Sequence, residues 1–527
     1  MPPTTYPPLL LGYTAHQRRP VVLDPEASFP HRVLVGGTGK GKTSFLMGLV
    51  YQQLRRGGGC IFVDGKAKPH NLLTIAHLAQ QTGRWSLLRA IAPGLPWSHL
   101  YNPLHAEREI SEAVNFLLNL LPPVSVQSEA QYYRDQVRSF LLTTLEVLRA
   151  TGKTATIRDL LAIMTAPAHV IEEKLRADLK DSRHEERLGD LHYLTRGMLK
   201  DKRETLSGMV AQLQSITATD LGNFLSTVFS DLDLATAVDV GMPVWMALPT
   251  SSDQARANAL GRAFLADILA VMADLTGDRR PTPLPPFLIV LDEFGSYALA
   301  EFAEMLRKAR EANIQVVVSL TTIADLQDPA RGLTSSFPDQ LLGNAEAIYM
   351  GSWAPGTLRY AEDYYGEEKQ LIASRRESLA QNVLGRLASA EDRYWNPQLG
   401  TARTVFDQLT EKREPRLRKE LLNELRQHEA VVFFQGHPTL VHLVYYFAPV
   451  TEQDKDPATV VPTWLRAPLQ PAGLSEYVLA HHMQLFKTTA VTGMSPEPAT
   501  PPARETPARA AKPARKRTRR KLDPTPP

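Results

Sequence analysis

The segment Gly36-Gly37-Thr38-Gly39-Lys40-Gly41-Lys42-Thr43 restricts the possible folds of this chain more than any other feature. It fits G-x-x-x-x-G-K-[ST], in which the glycines let the backbone curl until successive N–H groups point inward at phosphate oxygens. An apolar run, His31–Val35, precedes it. The segment TSFLMGLVYQQLRR follows, with Phe45, Leu46, Leu49, Val50 and Leu54 at helical spacing. A loop between a buried strand and a helix N-terminus offers an anion both unpaired N–H groups and the positive end of the macrodipole. In that setting Lys42 would reach the β- and γ-phosphates and the Thr43 hydroxyl would hold Mg²⁺. The expected ligands are therefore ATP and Mg²⁺, cradled by Gly36, Gly37, Thr38, Gly39, Lys40, Gly41, Lys42 and Thr43.

Further along, Cys60–Val63 is another strand-sized apolar run, with DGKAKPHN as its exit loop and Leu72–Gln81 as a helix. Strand, loop, helix, strand, helix predicts a parallel α/β sheet. From about 106 to 235 the apolar residues recur every three or four positions with almost no alternation, which predicts an all-helical insertion. Strand character returns at Met242–Leu248, Phe287–Leu291, Ile314–Leu320 and Ala347–Met350. A hairpin-like pair, Ala430–Gln435 and Leu440–Tyr446, follows a charged helical stretch at 410–428. The expected organisation is a Pro-rich lead-in at 1–30, an α/β domain in two parts (31–105 and 236–450) around the insertion at 106–235, and an extended basic tail at 451–527.

Phe287–Leu291 ends in Asp292-Glu293. A strand of this kind delivers Asp292 to the carboxyl edge of the sheet, where it would hold the water shell of Mg²⁺. Glu293 would then orient or deprotonate the attacking water. On its own, an apolar strand ending in an acidic turn is a common feature; the phosphate loop gives it meaning. The helical stretch Glu304–Asn313 and the strand Ile314–Ser319 come next. In ring ATPases, a helix and strand so placed carry an arginine for the neighbour's γ-phosphate and a polar sensor. Arg310, or as a lesser choice Arg307, is the candidate finger, weighed against a solvated basic face.

Composition sets the outer limits. Its one cysteine, Cys60, excludes an internal disulfide framework and a cysteine-based metal site, and fits a reducing cytoplasm. No run approaches the roughly 18–20 apolar residues that cross a bilayer, and the N-terminus has no signal-peptide pattern. The chain reads as cytoplasmic, with peripheral docking at the inner membrane left open. Residues 501–527 hold nine Lys/Arg and two acids, a charge of +7 that leaves −4 for the rest of a chain whose net is +3. Such an arm suits a polyanion; a tail that merely keeps the protein soluble is the alternative.

The loop GGTGKGKT, the strand-plus-loop FVDGK (Phe62–Lys66), YNPL (Tyr101–Leu104), LIVLDEFG (Leu288–Gly295) and KAREANIQVVVSLTTIADL (Lys308–Leu326) occur in the order found in type IV coupling proteins. Over roughly 30–450 the chain resembles the TraG/TraD-like branch of the FtsK/HerA superfamily of P-loop NTPases. The resemblance implies a RecA-like sheet with an inserted helical domain and a ring, expected to be a hexamer, that moves DNA through its centre using ATP; the proline content of the tail separately predicts that it is disordered. It further implies sequence-independent contact with single-stranded DNA, and a relaxase and secretion-channel proteins as partners. Two departures stand out. The family's paired N-terminal membrane helices are missing, and the glutamine after the sensor strand is replaced by Thr321 (or Thr322). A soluble DNA motor in repair, segregation or defence, and an ATP-binding adaptor with little hydrolysis, are the alternatives.

Other signals are weaker. Adjacent His481 and His482 point to different sides of a helix-like segment and read as structural. Tyr132, Tyr133 and Phe140 with Arg134 and Arg138 could stack single strands, but helical core is the favoured reading. Lys66 and Lys68 could line a DNA channel.

Overall fold

The computed structural model describes residues 6–24, 30–105, 108–122, 129–199, 204–248, 254–277, 281–283, 285–351, 354–380, 402–417, 419–434, 437–447, 456–462 and 470–491. Its centre is a sheet of eleven strands in the order β2-β1-β13-β12-β9-β3-β8-β7-β4-β6-β5. These are β1 (Leu9–Thr14), β2 (Pro20–Leu23), β3 (Arg32–Val35), β4 (Cys60–Asp64), β5 (Arg89–Ile91), β6 (Pro243–Ala247), β7 (Phe287–Asp292), β8 (Ile314–Leu320), β9 (Glu346–Tyr349), β12 (Glu429–Phe434) and β13 (His437–Leu443). From β9 to β5 every pairing is parallel. The four strands on the other flank pair antiparallel. The remaining two, β10 (Glu367–Ala380) and β11 (Ala402–Pro415), form a separate antiparallel ribbon.

The parallel strands are apolar at nearly every position because both faces are covered. Val33, Ile61, Ile289, Leu291, Val316 and Val318 pack into one core. Their alternates Leu34, Phe62, Leu288, Val290 and Val317 pack into the other. The helices Lys42–Arg55 and Pro69–Gln81 cover that second face with Phe45, Leu49, Leu72 and Ile75. On the first lie Gln254–Thr276 and Phe302–Ala309. Between β5 and β6, which are neighbours in the sheet, the described residues from Ile110 to Val240 form helices and no strand. The YNPL element is the joint: Tyr101 and Arg108 both bond the buried Asp267 carboxylate, and Asn102 accepts from Leu104 N at 2.9 Å while donating to Ala155 O at 3.1 Å.

Several expectations need correction. The lead-in is packed: β1 and β2 extend the sheet beside β13, with Leu9, Leu11, Val21 and Leu23 buried. LLLGYT and PVVL carry enough apolar side chains to seal that edge, despite the prolines around them. Residues 410–415 belong to β11, and a helix begins only at Lys419. Beyond 450, Val460 O accepts from Trp85 Nε1 at 2.6 Å, and Leu474 N donates to Asp159 at 2.9 Å, so parts of this stretch are folded. The chain divides into two compact units, Met1–Val478 and Leu479–Pro527. In the second, the described residues belong to the helix Leu474–Val491, which carries His481 and His482. The basic segment 501–527 lies outside the described residues.

His31 ties the sheet to its covering helix. Its Nδ1 accepts from Val316 N at 3.2 Å, so Nε2 carries the proton and donates to Leu306 O at 2.9 Å. Burial pushes its pKa down to about 4, since a charged ring loses its solvation and its Nδ1 can no longer accept from Val316 N. The unfolded chain therefore binds a proton first. Stability from His31 is complete above about 6.5 and is lost as pH falls toward 4, by on the order of 3 kcal/mol. Denaturant melts at pH 7 and pH 4.5 should show this extra loss in the wild type and not in His31→Gln; equal slopes would contradict it.

Candidate nucleotide-binding site

At the carboxyl end of β3 the chain turns through Gly36–Thr43 into the helix Lys42–Arg55. Gly39 and Gly41 have φ of 81° and 91°, the left-handed region that glycine enters without strain. Gly41 has a second reason to be glycine: a Cβ there would lie 2.6 Å from the His428 ring. The helix has no acidic residue in its first turn, so none of its own side chains opposes an anion at its N-terminus. Lys42 is buried, and its ammonium donates to Gly36 O at 2.5 Å, within the curl of the loop. Burial lowers its pKa, against the raising influence of Glu293 and Asp292. Thr43 opens the helix and Thr38 and Gly39 form the exposed tip. Lys40 faces elsewhere, donating to Leu425 O at 2.6 Å, and fastens the loop to the segment before β12.

One strand separates β3 from β7, so the acidic pair stands about 10 Å along the sheet from the glycine turn. The link between them is continuous. Gly36 N donates to Leu320 O at 3.2 Å, and the next residue, Thr321, donates its hydroxyl to Glu293 at 3.2 Å. Glu293 adopts φ 55° and ψ 37°, a left-handed conformation rare for a residue with a side chain. Its carbonyl is held by Ser296 N at 3.1 Å and Ser296 Oγ at 2.9 Å. Its carboxylate pairs with Lys66 Nζ at 2.5 Å. Burial raises the Glu293 pKa, but the Lys66 hydrogen bond and charge outweigh it and leave the group below the ordinary range.

Asp292 is different. Its side chain is fully buried, Oδ1 accepts from Glu293 N at 3.2 Å, and Oδ2 makes no hydrogen bond of good geometry, although the buried Ser319 hydroxyl lies close enough to favour its charged form. Burial pushes its pKa upward, with the Lys66 charge opposing. A buried carboxylate oxygen without a donor is costly unless a cation meets it. Mg²⁺ commonly takes one or two protein oxygens and keeps its waters and the phosphates. Asp292 and the Thr43 hydroxyl suit such a set. Among the described residues no group of three or more His, Cys, Asp or Glu is arranged to hold a metal by itself.

Sequence reasoning missed several contributors. Asp64 ends β4 in register with Asp292, accepts from Asn71 Nδ2 at 2.7 Å and from the Lys66 and Lys68 amides, and is raised to about 6 by burial. Lys66, for which a channel position was only one option, pairs with Glu293. Gly65 lets that loop approach, since a Cβ would lie 2.7 Å from the Glu293 Cβ. The signal was the DGK triplet at a strand end. Beside Glu293 a cleft of about 530 Å³ is lined by Asn258, Thr321, Asp325 and Arg331. The Arg331 guanidinium is engaged with Gly295 O, Asp325 O and Asp328.

Arg310 is not brought to this site within the chain. It is exposed, just beyond the helix Phe302–Ala309, and its charge is felt by His31 at the opposite end of β3 from the glycine turn. Of the aromatic group in the insertion, Phe140 is core, whereas Tyr132 and Tyr133 are 63% and 52% exposed, against the expectation of burial. Gly41→Ala is expected to lower stability by about 1–2 kcal/mol, combining strain at positive φ with the clash against His428. Gly39→Ala, with open space around its Cβ, should carry the strain alone. Thermal melts of the two variants compare these losses; equal losses would show that His428 exerts no pressure on the loop.

Residues 20–331 match the family described as the type IV secretion-system coupling protein DNA-binding domain. Over 338 residues the chain is 25% identical to the type 4 coupling protein DotL of Legionella pneumophila, a match spanning 54% of this chain and 43% of DotL. The chain thus covers less than half the length of that relative. The unbound conjugative coupling protein TrwBΔN70 aligns with TM-score 0.53 at 18% identity, covering 82% of this chain and 88% of that one. TrwB in complex with the ATP analogue ADPNP gives 0.55 at 18%, covering 83% and 89%, and TrwB with ADP and Mg²⁺ gives 0.52 at 18%, covering 85% and 91%. The structural likeness establishes a shared fold. Since the family match takes in more than half of the sequence and contains the glycine turn, Asp292 and Glu293, this chain belongs to the type IV secretion-system coupling proteins.

Proposed function

We propose that the chain is a Mg²⁺-dependent ATP hydrolase that drives DNA transfer as a coupling protein in conjugation or type IV secretion. The observation that carries this reading is the linked edge Gly36–Leu320, Thr321–Glu293 and Lys66–Glu293, with the buried Asp292 carboxylate beside it. It draws support from TrwB, which binds an ATP analogue and ADP with Mg²⁺ on the same fold.

Amides of the glycine turn hold the phosphates, and Lys42 exchanges its bond to Gly36 O for the β- and γ-oxygens. Thr43 and Asp292 hold the metal, which when bound neutralises charge on those oxygens. Glu293 is ionised at neutral pH and orients the attacking water, while Thr321 fixes its carboxylate and reports the state of the γ-phosphate to β8. Arg310 serves a neighbouring subunit's site in a ring, which we take to be a hexamer; such a finger is worth about 10³-fold or more in rate. The charge of the basic arm 501–527 suits sequence-independent contact with single-stranded DNA, and the exposed Tyr132–Tyr133 pair on the insertion offers rings for stacking of its own. A relaxase and channel proteins are the partners this role requires.

ATP turnover is expected to need Mg²⁺, to rise on adding single-stranded DNA, and to fall about 100-fold or more in Lys42→Ala and Glu293→Gln. A slow rate, unaffected by DNA and equal in both variants, would make the protein an ATP-binding adaptor instead. The acid limb gives a second check. Lys66 holds Glu293 low against burial, so Lys66→Met must raise the Glu293 pKa and move that limb to higher pH. An unmoved limb would remove Glu293 as the titrating group.

A further inference from the structure

The glycine turn is flanked on one side by β8 and β7, which bring Thr321, Asp292 and Glu293, and on the other by β9, β12 and β13. The terminal phosphate belongs with the acids. A nucleoside pointing away from the acids would leave the turn toward the second side, past Gly41 and Ser44. Three aromatic rings stand there. His428 is the residue before β12, and its ring covers Gly41 and bonds Ser44 Oγ through Nε2 at 2.8 Å. Tyr445 stacks on it with centroids 4.1 Å apart and planes at 21°. Phe447 closes the group at 5.5 Å from Tyr445 and 5.9 Å from His428.

This ledge is fixed to the loop by backbone as well as side chains. Tyr446 N donates to Ser44 O at 3.0 Å, His428 N to Lys40 O at 3.2 Å, and the Tyr445 backbone crosses Gly48 one turn further along the helix. His428 holds φ 64°, an unusual conformation for a side-chain-bearing residue. Despite this anchoring, Tyr445 and Phe447 are 54% and 58% exposed. Two large rings, fixed at the exit of a phosphate loop and facing solvent, are arranged for a flat apolar ligand rather than for the core.

We propose that Tyr445 and Phe447, backed by His428, form the stacking platform for the purine base of the nucleotide held by the glycine turn. The inference rests on the nucleotide reading above and adds where the base sits. Stacking on an aromatic face tolerates any base, so adenine and guanine nucleotides should both use it.

The test titrates the full chain, with Mg²⁺, against a non-hydrolysable ATP analogue, its GTP counterpart and inorganic tripolyphosphate, which has no base. Tyr445→Ala/Phe447→Ala is expected to weaken both nucleotides about tenfold or more while leaving tripolyphosphate within about twofold. Tyr445→Phe and Phe447→Tyr, which keep the ring faces, should bind as wild type. Unchanged nucleotide affinity in the alanine variant overturns the proposal, as does an equal loss for tripolyphosphate, which would mean that the rings act by supporting the loop. A wild type that binds neither nucleotide nor tripolyphosphate would instead overturn the nucleotide site itself.

Discussion

Parallel pairing of β3, β8, β7 and β4 is the constraint from which the rest of the site follows. Because the four strands run the same way, their carboxyl ends share one edge, and each releases its chemistry there: the glycine turn, Thr321, Asp292 with Glu293, and Asp64 with Lys66. The parallel register Asp64–Asp292 sets two carboxyl groups side by side in a buried environment. Desolvation alone would drive both toward the neutral form. Asp64 is satisfied by its own loop amides and Asn71, whereas the neighbouring Asp292 carboxylate has fewer donors and is the one of the two suited to a cation.

Strain collects at the same edge. Glu293 carries a left-handed backbone that costs on the order of 1 kcal/mol for a residue with a Cβ. The surroundings fix it from three sides: Tyr297 OH binds Asp292 O at 2.9 Å, Ser296 binds Glu293 O, and Lys66 and Thr321 hold the carboxylate. This bent strand end turns Glu293 toward the phosphate loop while Asp292 stays inside. Two acids adjacent in sequence thereby acquire opposite environments, one buried and pushed up, the other paired and held down.

The parts legible in the sequence were those encoded locally. A phosphate loop announces itself through glycine spacing, and a two-sided strand through continuous apolar residues, so β3, β7, β8 and the glycine turn could all be read directly. What escaped depends on partners distant in sequence. Lys66 became a site residue only because β4 lies beside β7, and His428 only because β12 and β13 return to the turn nearly 400 residues later. Strands β1 and β2 were hidden by flanking prolines, though their own apolar residues seal the edge beside β13. In the insertion, Phe140 follows the helical period into the core, but Tyr132 and Tyr133 sit where the helix Glu129–Ala150 has exposed faces. Arg310 is exposed and remote from its own glycine turn, a placement that no local pattern in the sequence could reveal.

The central claim is that the early glycine turn and the late acidic strand form one metal-nucleotide site. Its most direct test is the affinity of a non-hydrolysable ATP analogue with and without Mg²⁺, in the wild type and in Asp292→Asn. If Asp292 holds the metal beside the phosphates, Mg²⁺ tightens binding in the wild type and loses most of that effect in the variant, while metal-free binding persists. Equal tightening by Mg²⁺ in both proteins would place the metal elsewhere and separate the two halves of the site.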